Sequence, residues 1–125
     1  MSSPNELKYT EDHEWVKVDG DIATIGITDH AQSELGDIIF IEFPEINDQI
    51  KITEPFGTIE AVKTVADLFA PLSGKIVEIN KVLEDSPELV NSDAYGQGWI
   101  VKVTIDELNQ VNELLSLENY KKLLG

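Results

Sequence analysis

Cysteine is absent from this chain of 125 residues. That excludes disulfides, thiolate nucleophiles and cysteine-ligated zinc, and it leaves the redox compartment open. Arginine is absent too: all nine basic residues are lysines, against 24 Asp and Glu. The resulting net charge of −15 argues against nucleic acid or an anionic membrane surface as the main partner, because both would repel the protein. It favours encounters with basic protein surfaces instead. No apolar run approaches the ~20 residues that a membrane-crossing helix needs; the longest obvious one is Ile38-Ile39-Phe40-Ile41. Linkers and low-complexity stretches are also missing. Met1 to Glu6 reads as neither a secretory nor an organellar leader. The expected location is therefore the cytoplasm, or the mitochondrial matrix if a transit peptide has been removed.

What is present fits one domain over 1–125, an ordinary size for a single hydrophobic core. Short strand-like runs separated by turn residues predict a mainly β fold, a small barrel or sandwich, with a β core over about 7–103. Trp15-Val16-Lys17-Val18 and Ile22 to Ile27 flank Asp19-Gly20-Asp21 and read as a hairpin. Thr28 to Gly36 has a capping Thr and a terminating Gly, the marks of a short helix. Strands are expected within Asp37–Phe43, twice within Thr58–Phe69, and at Lys75–Asn80 and Trp99–Val103. C-terminal helices are expected over about 104–124. Thr104 with Glu107 has the spacing of a capping box, and Leu108, Val111, Leu114 and Leu115 recur at helical spacing. Ser116 is placed to cap a second helix carrying Tyr120, Leu123 and Leu124. Gly20-x-Ile22-Ala23-x-Ile25 and Gly74-x-Ile76-Val77-x-Ile79 echo each other, either as two similar halves or as two strands that each follow a tight turn.

The segment Gly57 to Pro71 is the most informative. Folded about Lys63-Thr64, it pairs Val62 with Val65, Ala61 with Ala66, Glu60 with Asp67 and Ile59 with Leu68. Alternation then gives Ile59, Ala61, Ala66 and Leu68 one wholly apolar face, and Val62, Glu60, Val65 and Asp67 the other. This arrangement carries two costs. Lys-Thr is a poor pair for a two-residue turn that wants Gly, Asn or Asp. Glu60 opposite Asp67 sets like charges together, a penalty of about 0.2–1 kcal/mol. A longer, less regular loop relaxes both. Either way a solvated lysine sits at a tip flanked by acids. Most lysines are simply surface lysines, but one at a tip can also enter a modifying enzyme without any unfolding. An ordinary surface amine is protonated at neutral pH, so its acylation needs another protein.

Lys63 and its neighbours resemble the lipoyl-lysine site of the H-protein family of the glycine cleavage system. The resemblance spans nearly the whole chain: Leu7-Lys8-Tyr9, His13-Glu14-Trp15-Val16, Ile25 to Gln32, Leu35-Gly36-Asp37-Ile38, Ala70 to Gly74, Val77 to Asn80, Pro87 to Asn91 and Gly98-Trp99. It implies a flattened β-barrel or sandwich of the lipoyl/biotinyl kind, a barrel-sandwich hybrid. It implies lipoate in amide linkage on Lys63, a group carrier whose disulfide supplies chemistry the protein lacks. Glu60, Asp67 and Gly74 would guide the lipoylating enzymes. Glu14 and Thr64, and more weakly Glu34, match positions of the pocket that shelters the loaded arm. The implied role is a monomeric, non-catalytic carrier of an aminomethyl group. It would take that group from the pyridoxal-phosphate glycine decarboxylase (P protein) to the tetrahydrofolate aminomethyltransferase (T protein). Dihydrolipoamide dehydrogenase (L protein) would then reoxidise it.

Two positions depart from the family pattern. Ala61 stands where Ser is usual before Val-Lys, and Glu34 where many members have His. A relay donor passing lipoyl or octanoyl groups to other lipoyl domains is an alternative role. A biotin carrier is another, although its lysine usually lies between methionines and the only Met here is Met1. His13-Glu14 and His30 with Glu34 form a weak metal pattern without a third convergent ligand, so no metal is expected. Trp15 and Trp99 read as core aromatics. An autonomous enzyme ranks last, because neither a serine–histidine arrangement nor a phosphate-cradling glycine loop is present.

Overall fold

A computed structural model describes residues 7–124; Met1 to Glu6, read above as neither kind of leader, lie outside them. The described residues form two antiparallel sheets. The larger holds β1 (Lys8–Tyr9), β2 (Glu14–Asp19), β3 (Ile22–Ile27), β5 (Gln49–Ile50), β8 (Gly74–Ile79) and β9 (Val101–Thr104), in the order β1-β2-β3-β9-β8-β5. The smaller holds β4 (Ile38–Glu42), β6 (Pro55–Ala61) and β7 (Val65–Phe69), in the order β4-β6-β7. The sheets make a flattened sandwich, and no closed barrel forms among the described residues. Short helices complete it: α1 (Asp29–Leu35), α2 (Val82–Asp85), α3 (Leu89–Ser92), α4 (Leu108–Asn112) and α5 (Leu117–Leu124).

The core lies where the apolar faces meet. Val16, Ala23 and Ile25 from the large sheet and Ile38, Ile41, Ile59, Ala61 and Leu68 from the small one belong to one buried cluster. A second cluster gathers Leu7, Tyr9, Trp15 and Tyr120, with Trp99 and Leu115 against it. Tyr9 and Tyr120 stack with centroids 4.7 Å apart and rings 7° from parallel, which docks α5 on β1. Trp15 is fully buried and its indole N–H donates to the Ala94 carbonyl at 2.9 Å. Trp99 is half-buried beneath the Lys102 ammonium, 5.1 Å from the ring centroid.

Several sequence expectations hold in detail. β2 and β3 close at Asp19 opposite Ile22, with Gly20 at φ 66° in the turn. Thr28 caps α1 by accepting from the Ala31 amide at 3.2 Å, and Gly36 ends it at φ 85°. The Ser116 hydroxyl accepts from the Asn119 amide at 3.2 Å, at the start of α5.

The capping box does not form. Thr104 is the last residue of β9, and its hydroxyl accepts from the Lys75 amide at 2.9 Å, so the sheet has claimed it. Glu107 precedes α4 without a side-chain cap bond. The expected apolar stripe is likewise divided. α4 stops at Asn112, Leu108 is exposed, Val111 and Leu114 pack on the main core, and Leu115 bridges to Tyr9. The echoed glycines do different work: Gly20 makes a turn, whereas Gly74 opens a strand beside Thr104.

Candidate functional site

Lys63 sits at the tip of the β6–β7 hairpin, but the register differs from the expected one. Glu60 pairs with Val65, Ile59 with Ala66, Thr58 with Asp67 and Gly57 with Leu68. The Ala61 amide donates to the Thr64 carbonyl at 2.8 Å, which leaves Val62 and Lys63 at the tip. Tertiary structure supplies the reason. The Val62 amide donates to the Asp37 carbonyl at 3.1 Å, so the α1–β4 connection holds the tip from the side. Val62, Lys63 and Thr64 all keep negative φ, and the strain of a left-handed Thr never arises.

The displacement is two residues, an even number, so every side chain keeps its expected face. Ile59, Ala61 and Leu68 are buried and Ala66 is half-buried, while Val65 and Asp67 are exposed and Glu60 is half-buried. Glu60 and Asp67 become diagonal neighbours instead of facing partners, at about 7–8 Å, which removes most of the expected repulsion.

The Lys63 side chain is exposed and forms no ion pair among the described residues. Its Cε lies 3.4 Å from where a Cβ on Gly36 would stand, and its Nζ 3.9 Å. A Cβ at residue 36 would meet the lysine stem in ordinary contact; it is the left-handed backbone, φ 85°, that calls for glycine there. Thr64 is exposed beside it.

Glu14 occupies the opposite end of β7. Phe69 is six residues from Lys63, about 20 Å along an extended chain. Glu14 is only 2% exposed. Its Oε2 accepts from the Phe69 amide at 2.8 Å, and its Oε1 accepts a long bond from the Thr10 hydroxyl at 3.5 Å. Burial pushes its carboxyl up to about 8; the Phe69 amide offsets part of that effect and nearby Asp12 adds to it. Glu14 is therefore an uncharged acid at neutral pH. It lines a cleft of about 210 Å³ together with Tyr9, Thr10, Ile52, Ala70 and Leu114.

Glu34 is not among the residues that line the Glu14 cleft. It is exposed on α1, 3.5 Å from the His30 ring nitrogen. The His30 ring lies 4.6 Å from that of His13, whose Nδ1 is 2.8 Å from the Tyr120 hydroxyl. That hydroxyl is 2.8 Å from the buried Thr28 Oγ1. Burial and then the neighbouring His30 hold His13 below the usual imidazole value. Sequence reasoning missed this cluster, because His13 and Tyr120 are 107 positions apart. Gly74 lies in the other sheet, buried and opposite Ile50; a Cβ there would run into the Thr104 carbonyl oxygen. Its lack of a side chain thus has a packing reason.

Sequence reasoning also missed Ile39 and Phe40, which stand exposed on the outer face of β4 beside Glu60. The signal was the unbroken apolar run, which a regular strand could not bury on one face.

The family described as Glycine cleavage H-protein matches residues 7–125. A glycine cleavage system H protein of Staphylococcus carnosus (strain TM300) is 55% identical over 125 residues, covering 100% of this chain and 99% of that one. The crystal structure of a glycine cleavage system H protein from Mycobacterium marinum superposes with a TM-score of 0.90 at 38% identity, covering 98% of this chain and 99% of that chain.

Proposed function

Because this chain belongs to the glycine cleavage H-protein family, we propose that Lys63 is its lipoyl attachment site and that the protein is a non-catalytic carrier. The observation that carries the reading is an exposed lysine at a hairpin tip, without an ion pair among the described residues, with Glu60 and Asp67 on the outer face behind it. The residues present suit the group: the Lys63 side chain is exposed at the hairpin tip and reaches solvent without any rearrangement of the described residues. Bound lipoate supplies a disulfide that can be opened, loaded and closed again, chemistry no side chain here provides.

The chain's own residues hold and present. The Val62–Asp37 hydrogen bond fixes where the tip stands. Glu60 and Asp67 offer carboxylates to a lipoylating enzyme. Gly74 supports the fold that presents them. Glu14 waits as a neutral acid in a half-closed cleft; a cation entering there would favour its carboxylate and release a proton. We assign Thr64 to the approach to the tip, and Glu34 a lesser part through His30.

The finer role is transport of an aminomethyl group on Lys63 from the pyridoxal-phosphate glycine decarboxylase to the tetrahydrofolate aminomethyltransferase, with reoxidation by dihydrolipoamide dehydrogenase. We place the carrier in the cytoplasm with these enzymes, as a monomer. The test is reconstitution. Lipoylated protein mixed with the three enzymes, glycine, tetrahydrofolate and NAD should yield NADH, and Lys63→Arg protein should yield none. Normal turnover by that variant would end the assignment.

A further inference from the structure

Asn91, half-buried on α3, makes three side-chain hydrogen bonds, each at 2.9 Å, and all three reach the corner between α1 and β4. Its Nδ2 donates to the Gly36 carbonyl and to Gln32 Oε1, and its Oδ1 accepts from the Ile38 amide. These contacts fix the orientation of the carboxamide. Turned over, it would set its oxygen against two oxygens and its amide group against an N–H. Nothing in the carrier role so far uses this side chain.

The Ile38 N–H and the Asp37 carbonyl belong to one peptide group. That peptide is trans, so the two point in opposite directions. On one side its N–H is held by Asn91 Oδ1 at 2.9 Å, and on the other its carbonyl accepts from the Val62 amide at 3.1 Å. The two bonds polarise the peptide in the same sense, so each strengthens the other. Asn91 thus reaches the residue beside Lys63 through a single peptide group. The hairpin lacks other sideways support there. β4 pairs with β6 only as far as Ala61, opposite Ile38. Val62 and Lys63 project beyond that pair, and the Asp37 carbonyl ties the tip from the side.

We propose that Asn91 is a positioning residue for the modification of Lys63: by orienting the 37–38 peptide, it holds the Val62–Lys63 tip in one place before an acylating enzyme arrives. The inference rests on the carrier reading above and adds the residue that sets the geometry of the attachment point. Asn91 acts through Val62, at a distance from the reacting amine. Its effect is entropic. A tip already ordered in the free protein has less freedom to lose on entering an active site, so the encounter costs less. The bond to Gln32 only packs α3 against α1, and this separates a packing role from a positioning one.

The test uses the unmodified full chain. Amide hydrogen exchange by NMR reads the tie directly, and acylation with lipoate ligase, ATP and lipoate reads its consequence. Asn91→Ala should speed exchange at the Val62 amide about tenfold and raise KM for the protein substrate about tenfold, with kcat unchanged. An amide at an exposed tip exchanges by local opening, so a general loss of stability does not produce this pattern. Gln32→Ala removes one bond of the same carboxamide but leaves the 37–38 peptide held, and it should match wild type in both measurements. Should Asn91→Ala fail to fold, Asn91→Asp keeps an oxygen for the Ile38 amide and should keep Val62 exchange and KM at wild-type values. An unchanged exchange rate or an unchanged KM in folded Asn91→Ala would overturn the proposal. So would loss of both in Asn91→Asp, or a loss in Gln32→Ala equal to that in Asn91→Ala. If wild-type protein takes no acyl group at Lys63 even though its Val62 amide is protected, the carrier reading itself falls, and the positioning role with it.

Discussion

β7 joins two ionisable side chains in opposite circumstances. Before its first residue, Lys63 is exposed and makes no ion pair among the described residues. Beside its last residue, Glu14 is buried, bonded to the Phe69 amide, and pushed up to about 8 by the loss of water. The first can be handled by another protein without disturbing anything else. The second is tied into the fold and lines a cleft. On the proposed carrier reading, the first is the place where cargo is attached and the second the place where it rests out of water. The stability cost falls on the second. An uncharged buried acid is tolerable at neutral pH, whereas a charged one is not.

The sharpest way to break this contrast is at the tip. Lys63→Arg keeps the charge and exposure but removes the acylatable amine. Acylation should be lost completely by intact mass while the thermal midpoint stays at the wild-type value. A fall in that midpoint would mean the tip is structural after all.

Glu14 predicts a pH effect of defined sign. Its carboxyl titrates near 4.5 in an unfolded chain and near 8 in the fold, so between those values the folded state holds the extra proton. Stability from this group is full below about 4.5, declines as pH rises to about 8, and is flat beyond, with a slope of up to about 1.4 kcal/mol per pH unit. His13 has the opposite sign, because a depressed imidazole costs stability as pH falls below its unfolded value. Denaturant melts of wild type and Glu14→Gln at several pH values separate the two. The difference between the curves should favour the variant increasingly from pH 5 to 8. Parallel curves would place an ordinary carboxylate at this position.

Gly74 tests which side of the contrast a recognition candidate belongs to. Gly74→Ala should destabilise by about 1–3 kcal/mol, from overpacking against the Thr104 carbonyl. A variant of unchanged stability that is poorly lipoylated would instead make this glycine a contact of the enzyme. The smallest effect is expected at Tyr120→Phe. It removes the hydroxyl linking His13 to Thr28 and should cost about 1 kcal/mol by urea melt, with acylation of Lys63 unchanged.

How far the sequence reveals these regions follows from the range of the forces involved. α1 was legible because its signals are local: Thr28 caps it and Gly36 ends it within nine positions. The family was legible because motifs along the whole chain agree, and the exposed place of Lys63 because it lies in a short turn between two strands. The faces of the hairpin were legible because they depend only on alternation. Its register was not, since the tie that sets it, Val62 to Asp37, spans two elements. Thr104 fits both a helix cap and a strand, and only the position of β8 decides between them. The pairing of Ile39 with Phe40 on the outside depends on a bulge; the unbroken apolar run signals an irregularity but does not say where it falls. Glu14 matched a pocket position by resemblance, yet its burial and its raised titration point come from strands that the chain reaches only later.

Whether Lys63 is the acylated residue can be read from the intact mass of the protein purified from its native host, with peptide mapping of the modified residue. A single lipoyl adduct should be found, on Lys63. A bare lysine in cells actively cleaving glycine, or an adduct on any other lysine, would contradict it.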